Sequence, residues 1–352
     1  MAVEDVIAVP QSHETPVTLL ERPGYYCRYA YARSADSLAA DDSGQDCLVL
    51  RASANHLAFA LCDGVSQSFV GDLAARLLAT ALAEWFDTLA DSDRERLAEA
   101  LQQRLTELVM EAGAMVDDFA LPADLPPLVR DVLEQKRALG SESTFVAGAF
   151  DFEQGQLVLV WMGDSRLRVW GDQGERTSEL GATFHTAERW SSRRGPIGTP
   201  HTAILPLEDI RRLLVYSDGF AVLDTRQERL SNEEIDTLIA SAGNQPTSDD
   251  VSLLEVWLEP GAQPARQPVN MPPAEMALLQ AELLMPLDKR PEHMEPPRTA
   301  EIASSRTAAV TSPDQHPDQA EPQATAGLTW VDWLLFVLAI FILIAALAFW
   351  LR

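Results

Sequence analysis

The order in which apolar patterns follow one another constrains the fold of this chain more than any other feature. Residues 47–52 and 56–62 are two apolar runs of strand length. A long helical block follows, and after Gly140 strand patterns return in "STFVAGAFDF", "QLVLVWMGDSRLRVW", "RRLLVYSDG" and "DDVSLLEVWL". Because strands cluster with strands and helices with helices, the sequence predicts an antiparallel α+β domain and not a series of βαβ units.

Two local patterns refine this prediction. Between the strands, two sets of apolar residues recur at helical spacing, which predicts two amphipathic helices. The first set is Leu73, Leu77, Leu82, Trp85, Phe86 and Leu89, and the second is Leu97, Leu101, Leu105, Leu108 and Val116. The segment "QLVLVWMGDSRLRVW" predicts a hairpin that turns near Gly163 and Asp164. Arg166 and Arg168 alternate with apolar residues on its second strand, which indicates a half-exposed strand.

Acidic residues recur where the predicted strands end. They are Asp46, Asp63, Asp218, Asp249 and Asp250, and two of them are followed by glycine in "FALCDGVS" and "LLVYSDGF". A single Asp-Gly is most often a turn. Several carboxylates at one edge would repel one another unless cations lay between them. Mg2+ and Mn2+ prefer oxygen ligands, and two such ions can promote displacement at phosphorus. The acids therefore predict a two-metal, all-oxygen site.

Composition excludes some functions. The formal net charge of −26 and the pI of about 4.5 argue against a nucleic-acid partner, because such binding depends on Lys and Arg contacts to phosphate. The three cysteines, Cys27, Cys47 and Cys62, are odd in number and lack metal-type spacing, which favours free thiols in a reducing compartment. The first residues lack a basic segment followed by an apolar one, so we expect no signal peptide.

The C-terminal part predicts a membrane anchor. Residues 333–351 are 19 consecutive uncharged, mostly apolar residues, and Trp330, Trp333 and Trp350 lie at the two ends of the run. Residues 260–328 hold 12 of the 22 prolines, a composition typical of a flexible linker. We therefore predict an N-terminal extension (1–19), a catalytic domain (20–259), a linker (260–328) and a single transmembrane helix (329–352). The domain is expected to face the cytoplasm at the cell membrane.

Six motifs together resemble a known family. In order, "GQD", "FALCDGVS", "GSESTFVAGAF", "VWMGDSRLRVW", "LLVYSDGF" and "SDDVSLLEV", over roughly residues 24–258, resemble the metal-dependent protein serine/threonine phosphatases of type 2C. The resemblance implies two antiparallel sheets packed as a sandwich and flanked by helix pairs, an α-β-β-α architecture. It also implies two Mn2+ or Mg2+ ions and leaves a third ion open.

The resemblance also assigns roles to residues of the motifs. Asp63 would bridge both ions and the carbonyl of Gly64 would bind one of them. Asp46 would lie beside the pair, linked directly or through water, and Asp218 and Asp249 would hold the other ion. Asp63 and Asp218 are thus the predicted catalytic residues. The "GDSR" segment would be architectural, with Asp164 in a satisfied turn.

The chain departs from the family pattern around the substrate. Gln45 stands where many members have an acid, and Asp41 stands where they usually have the arginine that holds the substrate phosphate. Ser66 and Gln67 replace the usual glycine pair. Leu139 stands where an acid often supplies a ligand for a third metal.

Other basic residues are candidates for substrate binding. Arg28 or Arg33 could replace the missing arginine after a local rearrangement. In "TFHTAERWSSRRGPIG", which corresponds to the family's variable flap, His185, Arg193 and Arg194 could steer phosphopeptides or be ordinary exposed charges. We retain Arg33, Arg193 and Arg194 as the substrate-binding candidates.

Two functions follow from these patterns. The first is a membrane-tethered phosphoprotein phosphatase that hydrolyses phosphoserine and phosphothreonine with a metal-activated water. Its partners would be phosphorylated proteins, a cognate Ser/Thr kinase and the membrane, and not nucleic acid. The alternative is a phosphatase-like domain, weak or inactive in catalysis, that binds phosphoproteins as a regulator or scaffold.

Overall fold

The computed structural model describes residues 5–89, 94–243 and 248–258 of the chain. The strands in these ranges are β1 Asp5–Ala8, β2 Thr15–Arg22, β3 Tyr25–Ala32, β4 Cys47–Ala52, β5 His56–Gly64, β6 Glu142–Asp151, β7 Gln156–Met162, β8 Arg166–Gly171, β9 Gly174–Glu175, β10 Arg189–Ser191, β11 Gly195–Ile197, β12 His201–Pro206, β13 Arg212–Tyr216 and β14 Val251–Leu258. The α-helices are α1 Ala35–Ala40, α2 Gly71–Thr88, α3 Arg94–Asp118, α4 Pro127–Leu139 and α5 Asn232–Gly243.

The strands form two antiparallel sheets. Sheet A has eight strands. Their order is β1-β4-β5-β6-β10-β11; β10 pairs with the first residues of β6, β7 pairs with the rest of β6, and β12 pairs with β7. Sheet B has six strands in the order β2-β3-β14-β13-β8-β9. Every strand pair in the described ranges is antiparallel, which confirms the predicted α+β class.

The core has layers that follow from the alternation of side chains along each strand. Between the sheets, inward-facing residues such as Phe59, Trp161 and Val215 form one apolar cluster. The other face of sheet A packs against α2 and α3, through side chains such as Leu78 and Leu101. This burial confirms the two predicted helical stripes. Packing of an apolar stripe against a sheet is what stabilises such helices in a protein.

The outer face of sheet B is covered differently from the prediction. Within the described ranges, one α-helix, α5, and a short 3-10 segment, Asp218–Thr225, pack there through Ile235, Phe220 and Leu223. The predicted helix pair on this side is thus wrong for the described chain. The 3-10 segment covers part of this face in place of a second helix, because its side chains Phe220 and Leu223 are both buried against the sheet.

The predicted hairpin at Gly163 is also wrong. Strand β7 pairs with β6 and β12 in sheet A, whereas β8 pairs with β13 and β9 in sheet B. The turn therefore carries the chain from one sheet to the other. On β8, Arg168 is buried rather than half-exposed, because it pairs with Glu175 at 2.6 Å and stacks over Trp170.

The N-terminal boundary differs from the prediction as well. Residues 5–19, predicted as an extension outside the domain, contribute β1, which pairs with β4, and five of the eight residues of β2, which pairs with β3. These segments complete one edge of each sheet. The predicted linker at 260–328 and the predicted transmembrane helix at 329–352 lie outside the described residues. Among the helices that the structure describes, none combines the length and apolarity needed to cross a bilayer.

Candidate metal centre

The acidic residues of sheet A lie at the ends of its strands, on the face that is directed toward sheet B. On β5, Phe59 and Leu61 face the core between the sheets, so the next side chain on that face is Asp63. On β4, Leu48 faces the same core and Asp46 precedes it by two residues. Extending the β4–β5 register by one pair places Asp46 opposite Asp63. The two carboxylates therefore form a cross-strand pair at the sheet edge.

Sheet B brings two further acids to the same edge. Asp218 follows the end of β13, and Asp249 lies two residues before β14 begins. These strands are antiparallel neighbours, so the end of one and the start of the other meet. Sequence patterns alone place each acid at a strand end, and the pairing of β13 with β14 brings the two ends together.

The glycines of both Asp-Gly motifs are required by close backbone approaches. A Cβ on Gly64 would lie 2.5 Å from the carbonyl carbon of Gly71, the first residue of α2. A Cβ on Gly219 would lie 2.1 Å from the carbonyl oxygen of Asp250. Because only glycine fits such spaces, each motif lets a second backbone segment pass directly beside its aspartate.

Asp164 joins the cluster because of the crossover between the sheets. Gly163 adopts a φ of +106°, and the turn that follows places Asp164 between the ends of the two sheets. One carboxylate oxygen from each of Asp63, Asp164 and Asp218 lies within 4.8 Å of the other two. Asp164 accepts no hydrogen bond from the described residues. The prediction that it is satisfied in an architectural turn is therefore wrong.

The carboxylates raise one another's pKa. Burial is the largest cause of the raised pKa of Asp63, and the charges of Asp46 and Asp218 add to it. Burial also raises the pKa of Asp46, Asp218 and Asp249, with neighbouring aspartates again contributing. Two buried oxygens, Oδ2 of Asp46 and Oδ1 of Asp218, have no hydrogen-bond partner in the described chain.

These features test whether the residues fit divalent ions. Within the described ranges, no Lys, Arg or His forms a salt bridge with Asp63, Asp164 or Asp218. Converging carboxylates with unpartnered buried oxygens are unfavourable unless a cation compensates them. Mg2+ and Mn2+ are hard cations that bind through carboxylate oxygens and water, so the donor set fits them. The three carboxylates, with Asp46 and Asp249 beside them, form the candidate metal centre.

Asp250 has a different role from Asp249. Its carboxylate accepts a hydrogen bond from the backbone N–H of Ser34 at 2.6 Å and another from that of Gln45. Gln45 immediately precedes Asp46, so Asp250 fixes the segment that delivers Asp46 to the centre. Of the two adjacent acids, only Asp249 is among the described residues that line the cleft.

A cleft of about 550 Å³ opens onto the metal centre. Its acidic wall holds Asp63, Asp164, Asp218 and Asp249, and Gly64 lies beside them. Its other described lining includes Lys136 on α4, Glu142 at the start of β6, and two arginines, Arg189 and Arg194.

The predicted substrate arginines have different surroundings. Arg194 lines the cleft, as its place in the flap suggested. Arg33 instead pairs with Glu14 at 2.9 Å, and Arg193 pairs with Asp117 at 2.5 Å; neither is among the described residues that line the cleft.

Other basic and acidic residues also lie in places that were not predicted. Arg28, considered as a replacement, is buried on sheet B, where its Nε donates to Glu255 at 2.8 Å. Three residues of the cleft lining, Glu142, Arg189 and Lys136, were not among the predicted site residues. Arg189 lies in the quoted flap segment, which was the available signal for it, whereas an acid in the "GSES" segment gave no comparable signal.

Comparison with known proteins identifies the family. Residues 33–258 match the family described as protein phosphatase 2C. This segment is more than half of the 352 residues, so the chain belongs to the protein phosphatase 2C family. Its class is therefore that of the protein serine/threonine phosphatases, which use Mn2+ or Mg2+, and the acidic cluster is present for these ions.

Solved structures with similarity to the chain carry related descriptions. The serine/threonine phosphatase Stp1 from Staphylococcus aureus is 14% identical, covers 71% of this chain and 98% of its own, and gives a TM-score of 0.46. A serine-threonine phosphatase 2C from Toxoplasma gondii is 13% identical, with 73% and 100% covered and a TM-score of 0.45. RsbX, solved in complex with magnesium, is 14% identical, with 69% and 100% covered and a TM-score of 0.39. No curated protein matches the sequence.

Proposed function

We propose that this chain is an active, membrane-tethered phosphoprotein phosphatase that hydrolyses phosphoserine and phosphothreonine. One observation supports catalysis above all others: three carboxylates within 4.8 Å of one another, without salt-bridge partners in the described chain, face an open cleft. Such a cluster is costly to keep without cations, and it lies where a phosphorylated side chain could enter.

The residues divide the work of holding the ions. Asp63, Asp164 and Asp218 would hold one ion among them, and Asp46, Asp249 and the carbonyl of Gly64 would complete the two-ion site around Asp63. When bound, the ions supply a water that is acidic enough to attack phosphorus and positive charge for the phosphoryl oxygens. The aspartates hold that charge in place, and the cleft orients the phosphate ester for in-line attack.

The alternative is a phosphatase-like domain that only binds phosphoproteins. The missing arginine at the position of Asp41 favours this alternative. The unpartnered, buried oxygens of Asp46 and Asp218 favour catalysis, because a binding module gains nothing from mutually repelling carboxylates. We therefore prefer the active enzyme.

Hydrolysis of p-nitrophenyl phosphate by the full-length protein with Mn2+ tests this proposal. Asp63→Asn should lower the Mn2+-dependent rate by at least ~1000-fold, because metal-supplied nucleophile and charge neutralisation are lost together. Its melting temperature without metal should not fall, since one repelling charge is gone. Asp87→Asn, distant in the chain and paired with Arg51 outside the cleft, is the matched control and should keep full activity. Near-normal turnover of Asp63→Asn would exclude the metal mechanism.

We further propose that the catalytic domain is cytoplasmic, with residues 329–352 as its membrane anchor. The apolar run at 333–351 supports the anchor. The three free cysteines, all buried, fit a reducing compartment. Phosphorylated proteins and a cognate kinase at the same membrane would be its partners. Protease added outside intact cells should leave the domain uncut while cleaving a control protein that faces outward; digestion of the domain would contradict this orientation.

A further inference from the structure

Two arginines share one carboxylate at the wall of the cleft. Arg189 donates through Nε to Oε2 of Glu142 at 2.5 Å, and Arg194 donates through Nη2 to Oε1 at 2.7 Å. The Glu142 side chain is 9% exposed, whereas that of Arg194 is 56% exposed. The three groups, which we call the arginine clamp, carry two positive charges and one negative charge.

The strand register places this clamp beside the metal centre. Thr144 pairs directly with Asp63 across β5 and β6. Glu142 lies two residues before Thr144 on the same face of β6, so it is a diagonal neighbour of Asp63. The corresponding Cα atoms are therefore about 7–8 Å apart. Arg189 and Arg194 line the same cleft as Asp63, Asp164 and Asp218, so a phosphate held at the metal centre would lie in a space that both guanidinium groups border.

Both arginines keep hydrogen-bond donors for a ligand. A guanidinium has five N–H donors. Arg194 donates only to Glu142 within the described chain, and Arg189 adds one bond, to the carbonyl of Ala187 at 3.1 Å. Planar guanidinium groups bind the oxygens of a phosphate in pairs and with fixed geometry.

We propose that Arg189 and Arg194, positioned by Glu142, bind the phosphate of the substrate and replace the arginine that is missing at Asp41. This inference rests on the proposed function, because it takes the substrate to be a phosphate monoester at the metal centre. Glu142 acts as a positioning residue: it holds two like charges side by side, and it leaves a net positive charge to attract a phosphate dianion.

The neighbouring Arg193 provides an internal contrast. It is not among the described residues that line the cleft, and it binds Asp117 at the end of α3 through two N–H groups, one of them at 3.1 Å. Two adjacent arginines in the flap therefore have different partners, and only Arg194 should contribute to phosphate binding. Arg193→Ala is thus the matched control for Arg194→Ala.

Binding of inorganic phosphate to the full-length protein, measured by calorimetry with saturating Mn2+, tests the clamp without requiring turnover. Arg189→Ala and Arg194→Ala should each weaken phosphate binding roughly tenfold to hundredfold, the usual effect of losing a charged hydrogen bond. Arg194→Lys should restore part of the affinity. Arg193→Ala should bind phosphate as the native protein does.

Steady-state kinetics separate this inference from the proposed function. If the enzyme is active, the arginine variants should raise KM for p-nitrophenyl phosphate more than they lower kcat, and their Mn2+ affinity should be unchanged. Glu142→Gln should also raise KM, because the arginines remain but lose the charge that positions them. Melting temperatures close to that of the native protein show that the variants are folded. An inactive native enzyme would refute the proposed function and leave the phosphate-binding test intact.

Two results would overturn the clamp. The first is native affinity for phosphate in both Arg189→Ala and Arg194→Ala. The second is an effect confined to phosphopeptides, with the binding of inorganic phosphate and the KM for p-nitrophenyl phosphate unchanged. In that case the arginines would recognise acidic side chains of the peptide and not its phosphate.

Discussion

At the scale of single residues, the site depends on acids whose surroundings differ although their sequence contexts are alike. Asp249 lines the cleft and accepts one backbone hydrogen bond, from the N–H of Asp250 at 2.8 Å, whereas Asp250 accepts two, from the N–H groups of Ser34 and Gln45, and is not among the described residues that line the cleft. Asp164 lies in a turn, yet its carboxylate accepts no hydrogen bond from the part of the chain that the structure describes. A carboxylate whose two oxygens both accept hydrogen bonds stabilises the fold, whereas a carboxylate with an oxygen left without a donor is available to cations.

This difference predicts opposite effects for two conservative substitutions. Asp164→Asn should reduce the Mn2+-dependent rate strongly and change stability little, because it removes a charge from the cluster and no hydrogen bond. Asp250→Asn should lower the free energy of unfolding by about 1–2 kcal/mol, because only one acceptor oxygen remains for two backbone N–H groups. Urea unfolding and turnover, measured on both variants, check this. Loss of stability in Asp164→Asn with full activity would restore the architectural role of Asp164.

The raised pKa values of Asp46, Asp63, Asp218 and Asp249 predict how pH affects the metal-free protein. An unfolded aspartate has a pKa of about 3.9. A group whose pKa is raised on folding contributes its full stability below the unfolded pKa, and this contribution is lost as pH rises through the folded pKa. The contribution of these four groups should therefore fall from about pH 4 upward.

Melting in EDTA over this pH range measures the effect. Other carboxylates have lowered pKa values and oppose the trend, so the informative quantity is the difference between native protein and Asp63→Asn. The native protein should lose more stability than the variant as pH rises. With saturating Mn2+, the native protein should no longer lose stability through these aspartates as pH rises, since the ions compensate the charges. Equal slopes in EDTA would show that the aspartates do not repel as inferred.

At the scale of elements, close packing of backbones decides where the acids stand. The end of β5 approaches the start of α2 so closely that both Gly64 and Gly71 lack room for a side chain; a Cβ on Gly71 would lie 2.9 Å from the carbonyl carbon of Gly64. The helix therefore supports the segment that carries Asp63. Such a contact is rigid because both partners are backbone atoms.

We predict that Gly64→Ala lowers the free energy of unfolding by about 1–3 kcal/mol, the usual cost of overpacking. The Mn2+-dependent rate should fall as well, because Asp63 must shift with the strand end. Gly243→Ala is the control, since no described atom lies within 4 Å of a Cβ there. It should leave stability unchanged or slightly improved. Denaturant midpoints and turnover of the two variants check the prediction, and equal midpoints would contradict the packing argument.

At the scale of the whole molecule, the last strand that the structure describes is an interior strand of sheet B. Strand β14, Val251–Leu258, lies between β3 and β13 in the middle of sheet B. All the metal-centre residues precede its end. The predicted linker and anchor follow it, so the folded domain should not depend on them.

A chain shortened to residues 1–260 should therefore be soluble, monomeric and as active per mole as the full chain. A chain shortened to residues 1–250 is the control and should not fold, because it lacks β14 while keeping every acid of the metal centre. Gel filtration, circular dichroism and Mn2+-dependent turnover distinguish the two. A 1–260 chain that is unfolded with metal present would show that later residues belong to the fold.

The sequence by itself determined what depends on local pattern. The apolar runs at 47–52 and 56–62, the stripes of α2 and α3, and the Asp-Gly steps at the ends of β5 and β13 are all local patterns over a few residues. These patterns were sufficient for the fold class and for four of the five acids of the candidate centre. The type 2C motifs added the choice of Asp249 over Asp250.

Only the tertiary structure decided which sheet each strand joins. The local sequence around Gly163 is compatible with a hairpin and with a crossover between sheets, because both need a turn between two apolar runs. The pairing of β8 with β13 places Asp164 in the metal centre. Likewise, Glu142 and Arg189 are 47 residues apart in the chain and meet only because β10 pairs with the first residues of β6. Contacts of this kind depend on long-range packing, which local spacing does not encode.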